Sequence, residues 1–301
     1  MLTFYTMITV GFLGYKLKLF GDTAVSSLAG LVYNVFVPLM LFTDIVNSVE
    51  LEMLAALPAF LFYTTVALAV MLVIGFISGR LFRLPPYTLG VHTAVVGFPN
   101  DGLVGYPLWF VIFPTHAALG MVGANIFYSV AQWVVAYPLV AYRGGRFKIF
   151  WKELLTPPLI ASLLAIPLLM IGAQPAGNPI WDTLTEIGGC TKYTAMMYIG
   201  GMMAQKGFGR ILGRPILFIM SAIKLLLGPV VVYLVLRPLG MLDGTFLAMV
   251  VMMAAMPSPM TICLQATMAG TDEDYAVGSM VLTTFLCLFT IPVVMYLTTL
   301  L

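Results

Sequence analysis

GFPNDGLVGYP, residues 97–107, sets two prolines, three glycines, an Asn and an Asp within eleven residues of a chain that is almost purely apolar on either side. In a soluble protein this would be an ordinary surface turn. Here the flanking sequence belongs in hydrocarbon, so the reading of the turn decides the fold. Of the 301 residues, 61% are apolar and 9% are charged, far from the composition of a soluble domain. A soluble core has no use for that surplus; the solvent must be lipid. The formal net charge of +2 gives no ground for a nucleic-acid partner, and none is expected. No cleavable signal peptide is expected either, because the first apolar stretch runs into the second through residues 16–22 without a small-residue cleavage site. Cys190, Cys263 and Cys287 lie inside apolar segments without paired spacing, and read as packed thiols rather than disulfides or zinc ligands.

A helix needs about 20 apolar residues to cross the bilayer core. By that measure the chain holds ten spans: 2–17, 23–46, 53–81, 87–113, 117–141, 157–173, 180–205, 214–238, 243–268 and 273–300. The first is short, and Lys16 and Lys18 can snorkel from its end. The longest hydrophilic stretch, 143–156, falls halfway. With both termini outside, the inward loops hold Lys16, Lys18, Arg80, Arg83, Arg143, Arg146, Lys148, Lys152, Lys206, Arg210 and Arg214, eleven of the fourteen Lys and Arg. Only Arg237 falls in an outward loop, and Asp44, Glu50 and Glu52 mark the first outward loop. By the positive-inside rule this is a multi-pass protein of the plasma membrane with both termini on the outer face. The inward loop 271–274 carries acids and no base, but acids count little in that rule.

Five spans, a basic loop and five more spans suggest two halves. Since five is odd, a repeated half must be inserted upside down, which gives an inverted repeat. Span four is interrupted at 97–107 and span nine at 256–259, in corresponding places. Paired interruptions of this kind are the best sequence pointer to a transporter's central site. Proline kinks with only a packing role are the plainer alternative, but Asn100 and Asp101 inside the first break need a reason to be in a membrane.

Unwound backbone at membrane depth survives only where protein surrounds it or where it lines a wet cavity. The N-terminal ends of the half-helices it creates attract anions. Unwound carbonyls and nearby polar side chains suit a small cation or a proton. The first break offers Asn100, Asp101 and the backbone from Gly102 to Gly105; the second offers Ser258 and Thr261, with Gln265 one turn on. These sets face each other if the two broken spans cross.

Lys224 lies about ten residues inside span eight, too deep to reach water readily. It requires a partner: a carboxylate such as Asp101, backbone carbonyls at a helix break, or an anionic substrate. A lysine that merely ties spans eight and four together is the structural alternative. Lys192, in span seven, lies six residues after Glu186, the wrong spacing for a same-face pair; it could complement an anion or line an aqueous vestibule. His92 reads as a packing histidine before a proton carrier, and His116 as a solvated loop residue. The methionines of spans seven and nine read as adaptable packing. Gly75 and Gly79 form a small-xxx-small pair for close helix contact.

NDGLVGYPL (100–108) resembles the G-N-x-G-F-x-G-x-P-L stretch of the auxin efflux carrier family, within the bile acid/arsenite/riboflavin transporter superfamily. LVY (31–33) with VPL (37–39), KLLLGP (224–229), AMPSP (255–259) and VLTTFLCLFTIP (281–292) are similar to that family's second, eighth, ninth and tenth spans. The resemblance implies an all-α ten-helix inverted repeat in two parts. A scaffold would comprise residues 1–48 and 156–206, and a mobile core residues 51–142 and 212–301, with broken helices four and nine crossing at its centre. It implies transport of organic anions such as indole acetic acid or dicarboxylates, with Asn100 a substrate contact and Pro107 and Pro257 or Pro259 at the crossover. Three departures bear on substrate and ion coupling. Pro99 replaces the usual Gly before the Asn, Asp101 stands where a small neutral residue is common, and 191–194 reads TKYT where many relatives have a proline.

The expected function is therefore a secondary transporter of small carboxylates with an elevator-like movement of the core. Asn100, Gly102, Gly105, Ser258, Thr261 and Lys192 would contact substrate; Asp101, Lys224 and Gln265 would form the coupling and charge network. No cofactor is expected beyond sodium or a proton as coupling ion; sodium would sit near Asn100 and Asp101. The lipid bilayer and the anion are the partners, and a homodimer through the scaffold is compatible with the sequence without any residue demanding it. A bile-acid-type sodium symporter and a non-transporting sensor on the same fold remain alternatives. No His-Glu-x-x-His or Gly-x-Ser-x-Gly stands in the chain to support an intramembrane enzyme. No Gly-rich phosphate loop supports ATP drive, and no rings of charge or pore loop support a channel.

Overall fold

Lipid offers a backbone no hydrogen-bond partners, so a chain dissolved in it satisfies its N–H and C=O groups within its own segments, which favours helices. The computed structural model describes residues 2–48, 55–113, 116–142, 157–173, 175, 177–206 and 214–300, and every regular element among them is helical. The loop 143–156, with Arg143, Arg146, Lys148 and Lys152, lies outside the described residues, as do Glu50, Glu52 and Arg210.

The order is α1 (Leu2–Lys16), α2 (Asp22–Leu31), α3 (Val37–Ser48), α4 (Leu57–Leu81), α5 (Pro86–Gly97), α6 (Tyr106–Ile112), α7 (Ala117–Ala131) and α8 (Tyr137–Val140). There follow α9 (Pro157–Met170), α10 (Pro179–Gly189), α11 (Thr191–Lys206), α12 (Pro215–Ala222), α13 (Gly228–Leu236), α14 (Gly244–Ala254), α15 (Met260–Ala269) and α16 (Glu273–Leu300). Among the described residues four helical runs, Asp22–Asn47, Leu57–Leu81, Pro215–Leu239 and Glu273–Leu297, are long and apolar enough to cross a membrane. The other apolar stretches hold shorter or interrupted helices.

Several runs pass through a wide π turn: Val32–Phe36, Asp101–Gly105, Gln132–Ala136 and Ile223–Leu227. Each is followed at the second residue by a proline, Pro38, Pro107, Pro138 and Pro229. A proline ring collides with the carbonyl four residues back and has no N–H to donate. Val37, Tyr137 and Gly228, each just before such a proline, donate five residues back, to Val32, Gln132 and Ile223. The enlarged turn is how the helix passes the ring without ending.

Span seven is not continuous as the sequence suggested. It divides at Cys190 into α10 and α11. Gly188 packs against the backbone of α3, where an added Cβ would lie 2.7 Å from Met40 N. Cys190, at the junction, is exposed, which corrects its reading as a packed thiol; Cys263 and Cys287 are buried. His116, read as solvated, is half-buried.

The chain forms two compact units. The first gathers Met1–Leu57, Gly102–Ile126 and Leu155–Phe208; the second gathers Pro58–Asp101, Phe127–Leu154 and Gly209–Leu301. Residues 102–126, which the sequence reading places in the core, thus group with the first unit.

In the first unit α1 and α11 cross at van der Waals distance. A Cβ on Gly11 would stand 2.0 Å from Met197 O, and one on Gly200 would stand 2.0 Å from Ile8 O. Asp22 accepts from Tyr15 Oη at 2.6 Å and from Gln205 Nε2 at 3.0 Å, tying α1, α2 and α11 at one end. Trp181 Nε1 donates to Asn47 Oδ1 at 2.9 Å, fixing α10 to α3.

In the second unit Gly75 and Gly79 of α4 face α5, where added Cβ atoms would meet Thr93 backbone at 3.1 Å and Leu89 Cδ1 at 2.5 Å. Met249, Met252, Met253 and Met256 are buried interior packing. His92, fully buried, has Nδ1 2.7 Å from Tyr275 Oη and Nε2 2.8 Å from Ser78 Oγ. Ser78 Oγ also lies 3.1 Å from Gly75 O, to which it donates. One assignment satisfies every group: Tyr275 donates to Nδ1, Nε2–H donates to Ser78, and Ser78 donates to the carbonyl. The histidine is thus a fully bonded link joining α4, α5 and α16. Below it, Asp272 caps α16 by accepting from Tyr275 N at 3.0 Å and also accepts from Thr88 Oγ1 at 2.7 Å. This gives the acids of the 271–274 loop a local role, since a helix N-terminus favours negative charge.

Candidate functional site

Helix α5 runs to Gly97, after which Phe98 adopts an extended backbone (φ −94, ψ 137) and the chain is non-helical to Asn100. Pro99 explains the stop, because the residue before a proline is pushed out of helical geometry. Helix α14 likewise ends at Ala254, and α15 starts only at Met260, with Pro257 and Pro259 between them. The two non-helical stretches meet. Asn100 N–H donates to Pro257 C=O at 2.8 Å. Ser258 Oγ donates to Val95 C=O at 2.9 Å, and Ser258 N–H donates to Thr283 Oγ1 of α16 at 3.0 Å.

The last four carbonyls of any helix lack intrahelical donors. At the end of α5, Ala94 C=O takes Phe98 N–H, while Val95 and Val96 take their donors from side chains distant in sequence. Lys224, in the wide turn between α12 and α13, donates from Nζ to Val96 C=O and to Phe98 C=O, each at 2.9 Å. Of the partners left open by sequence, backbone carbonyls at the break are the ones found. The lysine is fully buried, as are Ser258 and Gln265.

A second polar link joins α15 to the wide turn after α7. Thr261 Oγ1 donates to Gln132 Oε1. Gln265 Nε2 donates to Gln132 C=O at 2.8 Å. That carbonyl also receives Tyr137 N–H, so one oxygen closes the wide turn and holds α15. Among the described residues Gln265 Oε1, Ser279 Oγ and Thr284 Oγ1 are buried without a hydrogen-bond partner. Buried polar atoms in this condition are uncommon and call for an explanation such as water, an ion or a ligand.

Within the second unit the site residues thus form a set in two parts: Asn100, Pro257, Ser258 and Lys224 bond around the end of α5, and Thr261 and Gln265 bond to Gln132. Pro259 is buried beside them. Asp101 and Gly102 are half-buried at the start of the wide turn that leads into α6, and a Cβ on Gly102 would meet no atom within 4 Å. Gly105 is buried at that turn's end. The side chains of Pro107 and Lys192 lie outside the described residues. Gln132 and Thr283 belong to the set and escaped the sequence reading. For Gln132 a signal existed, an amide six residues before Pro138 in a largely apolar span; Thr283 lies in the 281–292 stretch quoted for the family resemblance, which assigned it no role.

No curated protein matches the chain by sequence. A family model described as "Membrane transport protein" matches residues 1–295. The chain belongs to that family, the auxin efflux carrier family of membrane transport proteins.

Proposed function

We propose that this member of the family is a secondary transporter of small organic anions, carboxylates above all, whose substrate and coupling ion bind where the fourth and ninth spans are interrupted. The observation that carries the reading is the hydrogen bond from Asn100 N–H to Pro257 C=O at 2.8 Å. It joins two interruptions far apart in sequence, and in secondary carriers such paired breaks near the midplane hold substrate and ion. Asn100, Ser258 and Thr261 contact the anion. Asp101 takes the coupling proton or sodium, and Lys224 and Gln265 complete the charge network. The ten spans form an inverted repeat in the plasma membrane with both termini outside, and the core moves as an elevator. No bond is made or broken in the substrate.

The test is uptake of labelled mono- and dicarboxylates by purified protein in liposomes under imposed gradients. Saturable, gradient-driven accumulation is expected, and Asp101→Asn should abolish it while leaving the melting temperature unchanged. Equal accumulation by the variant removes Asp101 from the mechanism. Single-channel currents refute a carrier altogether.

A further inference from the structure

The end of α5 presents carbonyls that carry the negative pole of a helix. In carriers with broken helices, such C-terminal ends and unwound carbonyls are where a coupling cation is coordinated, because carbonyl oxygens can replace an alkali ion's water shell. At this helix end the ligands are already occupied. Val96 O and Phe98 O receive Lys224 Nζ, and Val95 O receives Ser258 Oγ, all at 2.9 Å. Lys224 reaches them from the wide turn ahead of Pro229, and its side chain has no exposed surface. An ammonium is a compact monovalent charge, like sodium, but here it is tethered to the chain.

We propose that the Lys224 ammonium is a built-in cation at the end of α5, standing where free sodium would otherwise be coordinated, so that this site neither needs nor takes sodium. The inference rests on the crossover being the transport site and goes one step further: of two candidate coupling ions, it selects the proton. A second unit charge about 4 Å from the ammonium, at an effective dielectric of about 20, is repelled strongly enough to weaken its binding on the order of a thousandfold. The substrate anion then meets a site whose cation is tethered to the chain and does not vary with the sodium gradient.

Thermal unfolding of the purified full chain decides this without any transport measurement, so it can fail independently of the proposed substrate class. Wild type is melted in sodium chloride and in choline chloride of equal ionic strength, and the same melting temperature is expected in both. Lys224→Ala leaves a cavity lined by the freed carbonyls. It should melt lower than wild type in choline, and sodium or methylammonium should restore part of the loss saturably. Lys224→Met fills the cavity without charge and should show no such recovery. A saturable sodium-specific rise in the wild-type melting temperature overturns the proposal, and that arm stands even if the alanine variant does not fold. Identical responses of Lys224→Ala to choline, sodium and methylammonium overturn it as well.

Discussion

Replacing Gly11 or Gly200 by alanine is the sharpest test of the first unit's packing. Each new Cβ would stand 2.0 Å from a carbonyl oxygen of the partner helix, against 3.4 Å for ordinary contact. The obstacle is backbone on both sides of the crossing, so no side chain can turn away, and α1 and α11 must separate by about 1.4 Å if contact is to be normal. A gap of 0.5–1 Å already forfeits about a quarter to a half of the dispersion energy of the atoms facing it. Lipid supplies no hydrophobic drive to compensate. Each single variant should therefore lose about 3 kcal/mol, the upper end for overpacking. At about 2–3 °C per kcal/mol for a chain of this size, that lowers the melting temperature by about 6–9 °C. The double variant carries the more specific expectation. Both clashes are relieved by the same separation, so the second alanine should cost much less than the first. Melting of the three variants in one detergent measures this. Neutral single variants, or a double variant whose loss equals the sum, would refute a shared close crossing.

Ser258→Ala withdraws the donor from Val95 C=O, and Thr283→Val withdraws the acceptor from Ser258 N–H; each should cost about 1–3 kcal/mol in thermal unfolding. His92→Phe strands Tyr275 Oη, while Ser78 Oγ keeps its bond to Gly75 C=O, and should cost about 1–3 kcal/mol; adding Tyr275→Phe should recover part of that loss rather than add to it. Arg214→Ala should change stability by less than about 1 kcal/mol, since its 3.9 Å ion pair with Asp274 is largely exposed.

The interruptions at 97–107 and 256–259 were legible because proline and glycine act on their own local backbone, whatever surrounds them. Their meeting was not, because a hydrogen bond between Asn100 and Pro257 depends on how helices pack. The partner of Lys224 stayed open for the same reason: burial demands a partner without naming one. Gln132 was passed over because one more amide hardly alters the hydropathy of a span, although it stands six residues ahead of Pro138, as Asp101 stands six ahead of Pro107. The wide turns were readable in principle, since an X-Pro pair inside an apolar run must either end a helix or enlarge it. Cys190 was misread because apolar neighbours imply membrane depth but do not say which face of a helix looks inward.

The recurrence of wide turns raises a question of cause at Lys224, where ring and ammonium both favour the enlarged form. A proline within a helix normally costs about 3 kcal/mol relative to alanine, so Pro229→Ala should stabilise the helix if the ring alone holds the turn open. Closing the turn to α geometry removes the equivalent of one residue, about 100° of rotation, between Lys224 and α13. That swings Nζ away from Val96 and Phe98, and an uncompensated buried charge costs about 3–5 kcal/mol. In wild type the two effects nearly cancel, so Pro229→Ala should leave the melting temperature almost unchanged. In a Lys224→Met background nothing opposes closure, and the same substitution should stabilise by about 2–3 kcal/mol. An equal effect in both backgrounds would mean that the ring alone shapes the turn and that the lysine's placement is a consequence of it rather than a second cause.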